Sequence, residues 1–205
     1  MKNITTLILA AGKSSRFKAS KAKIFHELAG LPIIDHIYNK AKKISGNNIV
    51  FVCNENNINF LKRKYTKCNF ALQKSQKGTA DAVLTAKKFI NKKLNILILF
   101  ADVPLINIST LKKLIKNYLK KKSNGSMIAF NAKNPFGYGR VLTDKNKVTS
   151  IVEQLNASNE IKKISLCNAG IMICNYQLLF SYIKKINNKN IKKEKYLPDI
   201  SGYFI

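Results

Sequence analysis

The chain has 205 residues, of which 46% are hydrophobic, and its 37 Lys+Arg against 10 Asp+Glu give a formal net charge of +27. That length and apolar content fit one large domain, or one domain with a small insertion, around a real core. The charge is lysine dispersed along the whole chain, with arginine only at Arg16, Arg63 and Arg140, and no arginine–aromatic cluster of the kind that stacks and reads bases. Nucleic acid is therefore not an expected partner. Four cysteines, Cys53, Cys68, Cys167 and Cys174, form no C-x-x-C pair, which excludes a zinc frame and a disulfide scaffold and suits a reduced, cytoplasmic protein. No apolar run is long enough to span a bilayer. The first twelve residues loosely resemble a signal peptide, but their apolar run is short and a basic loop follows it directly.

In chain order, Ile4–Ala11 is a continuous apolar run, the pattern of a strand covered on both faces. Leu31–Ile44 has helical spacing at Ile33, Ile37, Ala41 and Ile44. Asn47–Asn54 reads as strand, Ile58–Tyr65 as a short helix and Phe70–Gln73 as a short strand. Gly78–Ile90 is a predicted helix opened by Gly and Thr. Asn95–Ile106 holds the most hydrophobic strand, interrupted abruptly by Asp102, and Ser109–Lys121 is a capped amphipathic helix. This alternation predicts an α/β, Rossmann-like fold, with a mostly parallel central sheet and helices on both faces. After Lys122 the rhythm changes to the strand-like runs SMIAFNAK, YGRVLTD, KVTSIVEQ and LCNAGIMICN, then a helix at Leu179–Ile186 and a polar segment that turns apolar. One further core strand is expected there, with a hairpin-rich segment as a lid or wall over the site.

Ligands in such folds gather at the carboxyl ends of the strands. The first strand runs into Gly12 and then Lys13, Arg16, Lys18, Lys21 and Lys23. A loop in that place can turn its backbone N–H groups inward, and the glycine permits close approach, so a phosphate chain is the natural guest. The pattern is neither G-x-x-x-x-G-K nor G-x-G-x-x-G. Asp102 ends ILILFAD where the strand leaves the core, facing the same crevice. A hard cation such as Mg²⁺ takes carboxylate and phosphate oxygens together. Taken separately, the loop could be solvated surface and Asp102 a turn cap. The histidines, His26 and His36, read as structural, and Tyr138 and Tyr196 as packing residues.

Six segments then occur in order: LAAGKSSRF with Lys23, LQKSQKGTADAV, LFADVPLI, GYGRV, IVEQ and NAGIMICN. Together they resemble the sugar-1-phosphate nucleotidyltransferases. More closely, they are similar to the uridyltransferase half of the bifunctional N-acetylglucosamine-1-phosphate uridyltransferase / glucosamine-1-phosphate acetyltransferases, over essentially the whole chain. The resemblance implies transfer of a uridylyl group from UTP to N-acetylglucosamine 1-phosphate, giving UDP-N-acetylglucosamine and pyrophosphate for cell-wall precursors, with Mg²⁺ as cofactor. It implies that Leu9, Ala10, Ala11 and Gly12 contact the nucleotide. Arg16 and Lys23 would hold the triphosphate, and Gln73, Gly78 and Thr79 would lie where uracil is read. Phe100 and Ala101 would flank the metal ligand Asp102, and Gly139, Glu153 and Asn168 would bind the amino sugar. Residues 1–122 would then form a nucleotide-binding half and 123–205 a sugar-binding half.

Three departures accompany the resemblance. Ser14 stands where the family usually has a second glycine, and Ala22 where it has proline before the lysine. The family completes its metal site with a downstream asparagine, and its acetyltransferase half carries hexapeptide repeats that trimerise; this sequence contains neither, so a fragment or a natural short form is expected, trimeric only with such a repeat region. Two alternatives stay open: a nucleotidyltransferase for another sugar or alcohol phosphate, and a nucleotide-binding domain with an incomplete metal site.

Overall fold

The computed structural model describes residues 3–12, 21–145 and 147–203. Its strands are β1 (Ile4–Leu9), β2 (Glu27–Leu28), β3 (Leu31–Pro32), β4 (Ile49–Cys53), β5 (Asn69–Leu72), β6 (Asn95–Phe100), β7 (Gly125–Asn131), β8 (Arg140–Asp144), β9 (Lys147–Val152) and β10 (Leu166–Asn175). Its α-helices are α1 (Ile33–Ser45), α2 (Ile58–Lys64), α3 (Thr79–Thr85), α4 (Ile108–Lys121), α5 (Asn159–Lys162) and α6 (Tyr176–Tyr182).

All strands but β2 and β3 join one eight-stranded sheet in the order β5-β4-β1-β6-β10-β8-β9, with β7 also paired to β10. The first four strands of this order are mutually parallel. β10 then runs antiparallel to β6, β7 and β8, and β8–β9 is an antiparallel hairpin. The expected extra core strand is therefore β10, ten residues long and antiparallel.

The apolar strands are continuous because both faces are covered. On β1, Ile4 and Ile8 pack into a cluster with α1, α2 and α4 residues such as Ile37, Leu61 and Ile115. Leu7 and Leu9, pointing the other way, join a second cluster with Val83 of α3, Leu179 of α6, and Leu197 and Ile200 near the carboxyl end. Alternation of side chains along a strand divides one apolar run between two cores.

Two expected helices differ in detail. The Gly78–Ile90 segment is α-helical only to Thr85 and tightens into a 3-10 turn at Lys87–Phe89. The Leu179–Ile186 helix starts earlier, at Tyr176, because the Asn175 side chain accepts from the Gln177 and Leu178 amides and caps it. The periodicity of apolar residues does not report such a cap.

Candidate active site

The site begins where β1 and β6 leave the core side by side. Ala101 donates its amide to the Leu9 carbonyl at 3.0 Å, which fixes the exit of β6 against that of β1. Ala10, Ala11 and Gly12 therefore run out beside Asp102. Lys23 opens a short 3-10 turn anchored by buried Ile24, with Phe25 packed on Phe60. From that anchor its Nζ donates to Asp102 Oδ2 at 3.0 Å, and both side chains stay open to solvent, at 37% and 44% exposure. Arg16 lies outside the described residues.

Three amide side chains hold the Ala10–Ala11 backbone. Asn57 donates to the Ala10 carbonyl at 2.8 Å, and Asn54 and Gln76 donate to the Ala11 carbonyl at 3.2 and 2.7 Å. Asn57 in turn accepts from the Asn54 amide, so the residues after β4 form a small scaffold under the exit of β1. On the other side of the crevice Lys40 of α1 donates to the Pro104 carbonyl at 2.8 Å and ties down the turn that follows Asp102. The sequence reading named none of these four. Their partners lie 43 to 65 residues away, so no local spacing reveals them.

Gln73 is only 4% exposed, and its side-chain nitrogen is committed to the Gly78 carbonyl (3.1 Å) and to Asp81 Oδ2 (2.8 Å). Gly78 has φ +108°, and a Cβ there would stand 2.4 Å from the Lys195 carbonyl oxygen. Lys195 pairs by its backbone with Lys77 and Ala80, and the Leu197 amide donates to the Thr79 hydroxyl at 2.8 Å. Residues 195–197 thus strap the start of α3, and glycine is required at 78 both by conformation and by this close approach.

Gly139, Glu153 and Asn168 come together through β8, β9 and β10. A Cβ on Gly139 would lie 3.1 Å from Glu153 Oε1. Asn168 donates its amide to the Gly139 carbonyl at 2.9 Å, and its side-chain oxygen accepts from the Gly170 amide at 2.8 Å. Gly170 (φ +77°) lies against the Phe100 ring, 3.0 Å from where its Cβ would be. Phe100 is two residues from Asp102 and Gly170 two from Asn168, so this packing contact joins the two groups of predicted residues. Burial, and then the charge of Asp199, push the Glu153 carboxyl above its ordinary value, while Lys192 and Arg140 pull it back. Burial also raises Asp199. Tyr138 packs edge-on against Phe130, and burial raises the Tyr196 phenol above its ordinary value, with the charges of Glu194, Glu153 and Asp199 adding to it. His36 Nε2 meets the Leu28 carbonyl at 2.7 Å, a structural setting.

Among the described residues no three His, Cys, Asp or Glu side chains gather into a metal cage. Asp102 alone, open to solvent at the mouth of the crevice, fits a cation that takes one carboxylate and draws its other ligands from phosphates and water.

Residues 6–165 match the family model for the MobA-like NTP transferase domain. The chain belongs to that family. Within this NTP transferase group, the bifunctional protein GlmU of Buchnera aphidicola subsp. Schizaphis graminum is 41% identical over 201 residues, 97% of this chain and 43% of that protein. GlmU of Bartonella quintana is 35% identical over 204 residues, 98% of this chain and 45% of the relative. The chain thus spans less than half the length of these relatives. The NTP transferase fold is seen in two solved structures of low sequence identity. A Bacillus anthracis protein named as a glucose-1-phosphate thymidylyltransferase, crystallised with sucrose, superposes with TM-score 0.77 at 18% identity, covering 98% of this chain and 82% of that one. A UDP-glucose pyrophosphorylase complexed with UDP-glucose gives 0.75 at 20% identity, covering 98% and 85%.

Proposed function

We propose that the chain transfers a uridylyl group from UTP to N-acetylglucosamine 1-phosphate, releasing pyrophosphate and UDP-N-acetylglucosamine. The observation that supports this reading is the contact of Phe100 with Gly170, which links the end of β6, two residues before Asp102 and its partner Lys23, to the segment that carries Asn168 and its neighbours Gly139 and Glu153. The similarity to bifunctional GlmU proteins supports the amino sugar as acceptor.

The acceptor phosphate oxygen attacks the α-phosphorus of UTP in line, and the bond to the leaving pyrophosphate breaks. The attacking phosphate is already anionic, so the reaction asks for alignment and charge compensation more than for proton transfer. Lys23 and Arg16 offset the triphosphate charge, and the backbone at Ala11–Gly12 receives it at the strand exit. Mg²⁺ held by Asp102 would supply the remaining compensation between the phosphates. The base is read at Gly78–Thr79, with Gln73 acting chiefly by fixing the Gly78 carbonyl. Glu153 accepts from sugar hydroxyls, and Asn168 presents an amide that can both donate and accept. Free cysteines suit the reducing cytoplasm in which UTP is available.

Pyrophosphate release tests the reading directly. UTP, CTP, ATP, GTP and dTTP are each combined with N-acetylglucosamine 1-phosphate, glucose 1-phosphate and glycerol phosphate, with and without Mg²⁺. Release is expected only from UTP with N-acetylglucosamine 1-phosphate and Mg²⁺. Equal or faster release from another pair would reassign the substrates.

A further inference from the structure

Arg140, the first residue of β8, is 1% exposed and heads the fully buried side chains by size. Burying a guanidinium is unfavourable unless acceptors meet its donors. Its acceptors come from the loops of the acceptor side. Nη1 donates to the Tyr138 carbonyl, and Nη2 donates to Gln154 Oε1 at 2.7 Å and to the Lys162 carbonyl at 3.2 Å, while the buried Nε has no acceptor among the described residues, so the grip rests on the two terminal nitrogens. Gln154 Oε1 also accepts from the Gly137 amide at 3.1 Å. The same side chain therefore grips the chain just before Gly139 and just after Glu153.

The strand register makes this grip specific. Arg140 is opposite Val152 in β9 and opposite Cys167 in β10. The next step along the three strands brings Gly139, Glu153 and Asn168 together, closed by the amide of Asn168 on the Gly139 carbonyl. Resting on the transferase reading above, we infer that Arg140 is a positioning residue for the sugar 1-phosphate acceptor: its buried guanidinium clamps the rung that carries Gly139, Glu153 and Asn168. A lysine cannot replace it, because a point charge on a flexible stem does not span acceptors arranged around a planar fork.

The test uses the Arg140→Lys variant and, because a buried substitution can impair folding, the milder Gln154→Ala. Amide hydrogen exchange in the ligand-free protein reads the clamp itself. The Asn168 and Gly137 amides are expected to exchange about tenfold faster in the variants, while the Leu7 and Ile8 amides of β1 hold the wild-type rate. Steady-state kinetics read its purpose. KM for N-acetylglucosamine 1-phosphate is expected to rise about tenfold, and KM for UTP to change less than twofold. Unchanged exchange at Asn168, or an equal rise of both KM values, would overturn the inference. Failure of the wild-type protein to transfer to any sugar 1-phosphate would instead reject the transferase reading, and the clamp would then stand or fall on the exchange rates alone.

Discussion

Lys23 and Asp102 are 79 residues apart in the chain and 3.0 Å apart in the fold. The cation stands at the start of the 3-10 turn Lys23–Phe25 and the acid just past the end of β6, and both side chains are open to solvent. An open ion pair of this kind contributes only about 0.2–1 kcal/mol. Asp102→Ala is therefore expected to leave the melting temperature and circular dichroism nearly unchanged while lowering the rate of pyrophosphate release by about 100-fold or more. Full activity in this variant would remove Asp102 from the chemistry.

The scaffold under the exit of β1 gives a different signature. Asn57→Ala leaves the Ala10 carbonyl without its 2.8 Å donor in a buried setting. A cost of about 1–3 kcal/mol is expected in urea unfolding. Because Ala10 leads into Gly12, KM for UTP should rise more than KM for the acceptor. An equal effect on both would show that Asn57 supports the fold only.

Gly78→Ala places a methyl group 2.4 Å from the Lys195 carbonyl at a φ of +108°. The backbone conformation alone costs a non-glycine residue about 1–3 kcal/mol, and the close approach to a main-chain oxygen adds to it. The variant is expected to unfold at lower denaturant and to be cut faster by trypsin at the lysines of 192–195. Wild-type protease resistance would mean that the strap docks independently of Gly78.

Glu153 makes stability depend on pH. Burial and Asp199 raise its pKa in the folded state above the ordinary 4.5, against the opposite pull of Lys192 and Arg140. The folded protein therefore binds the proton more tightly than the unfolded chain. The stabilisation is fully present below pH 4.5 and is lost as pH rises through the folded value. Glu153→Gln removes that loss. Thermal melts from pH 4 to 8 should show the variant gaining on the wild type as pH rises, while its KM for the acceptor increases. A stability difference independent of pH would contradict the sign.

The reading of β1, β6 and the Asp102 exit depended on apolar runs that stop at glycine or acid, a local signal that survives folding because both faces of the central strands are covered. Gly139, Glu153 and Asn168 could be named from motifs, but that they share one rung of β8–β9–β10 is a matter of register between distant segments. The same limit hid Asn54, Asn57, Gln76 and Lys40, ordinary polar residues whose meaning comes only from the carbonyls they reach. It also hid the 195–197 strap on the start of α3, beside which Gln73 holds the Gly78 carbonyl.

The most direct test is a crystal structure with UDP-N-acetylglucosamine and Mg²⁺. The account predicts the diphosphate beside Gly12 and Lys23, the metal on Asp102 at about 2.1 Å, and the amino sugar against Glu153 and Asn168. A uridine nucleotide bound on another face of the sheet, away from the exits of β1 and β6, would contradict it.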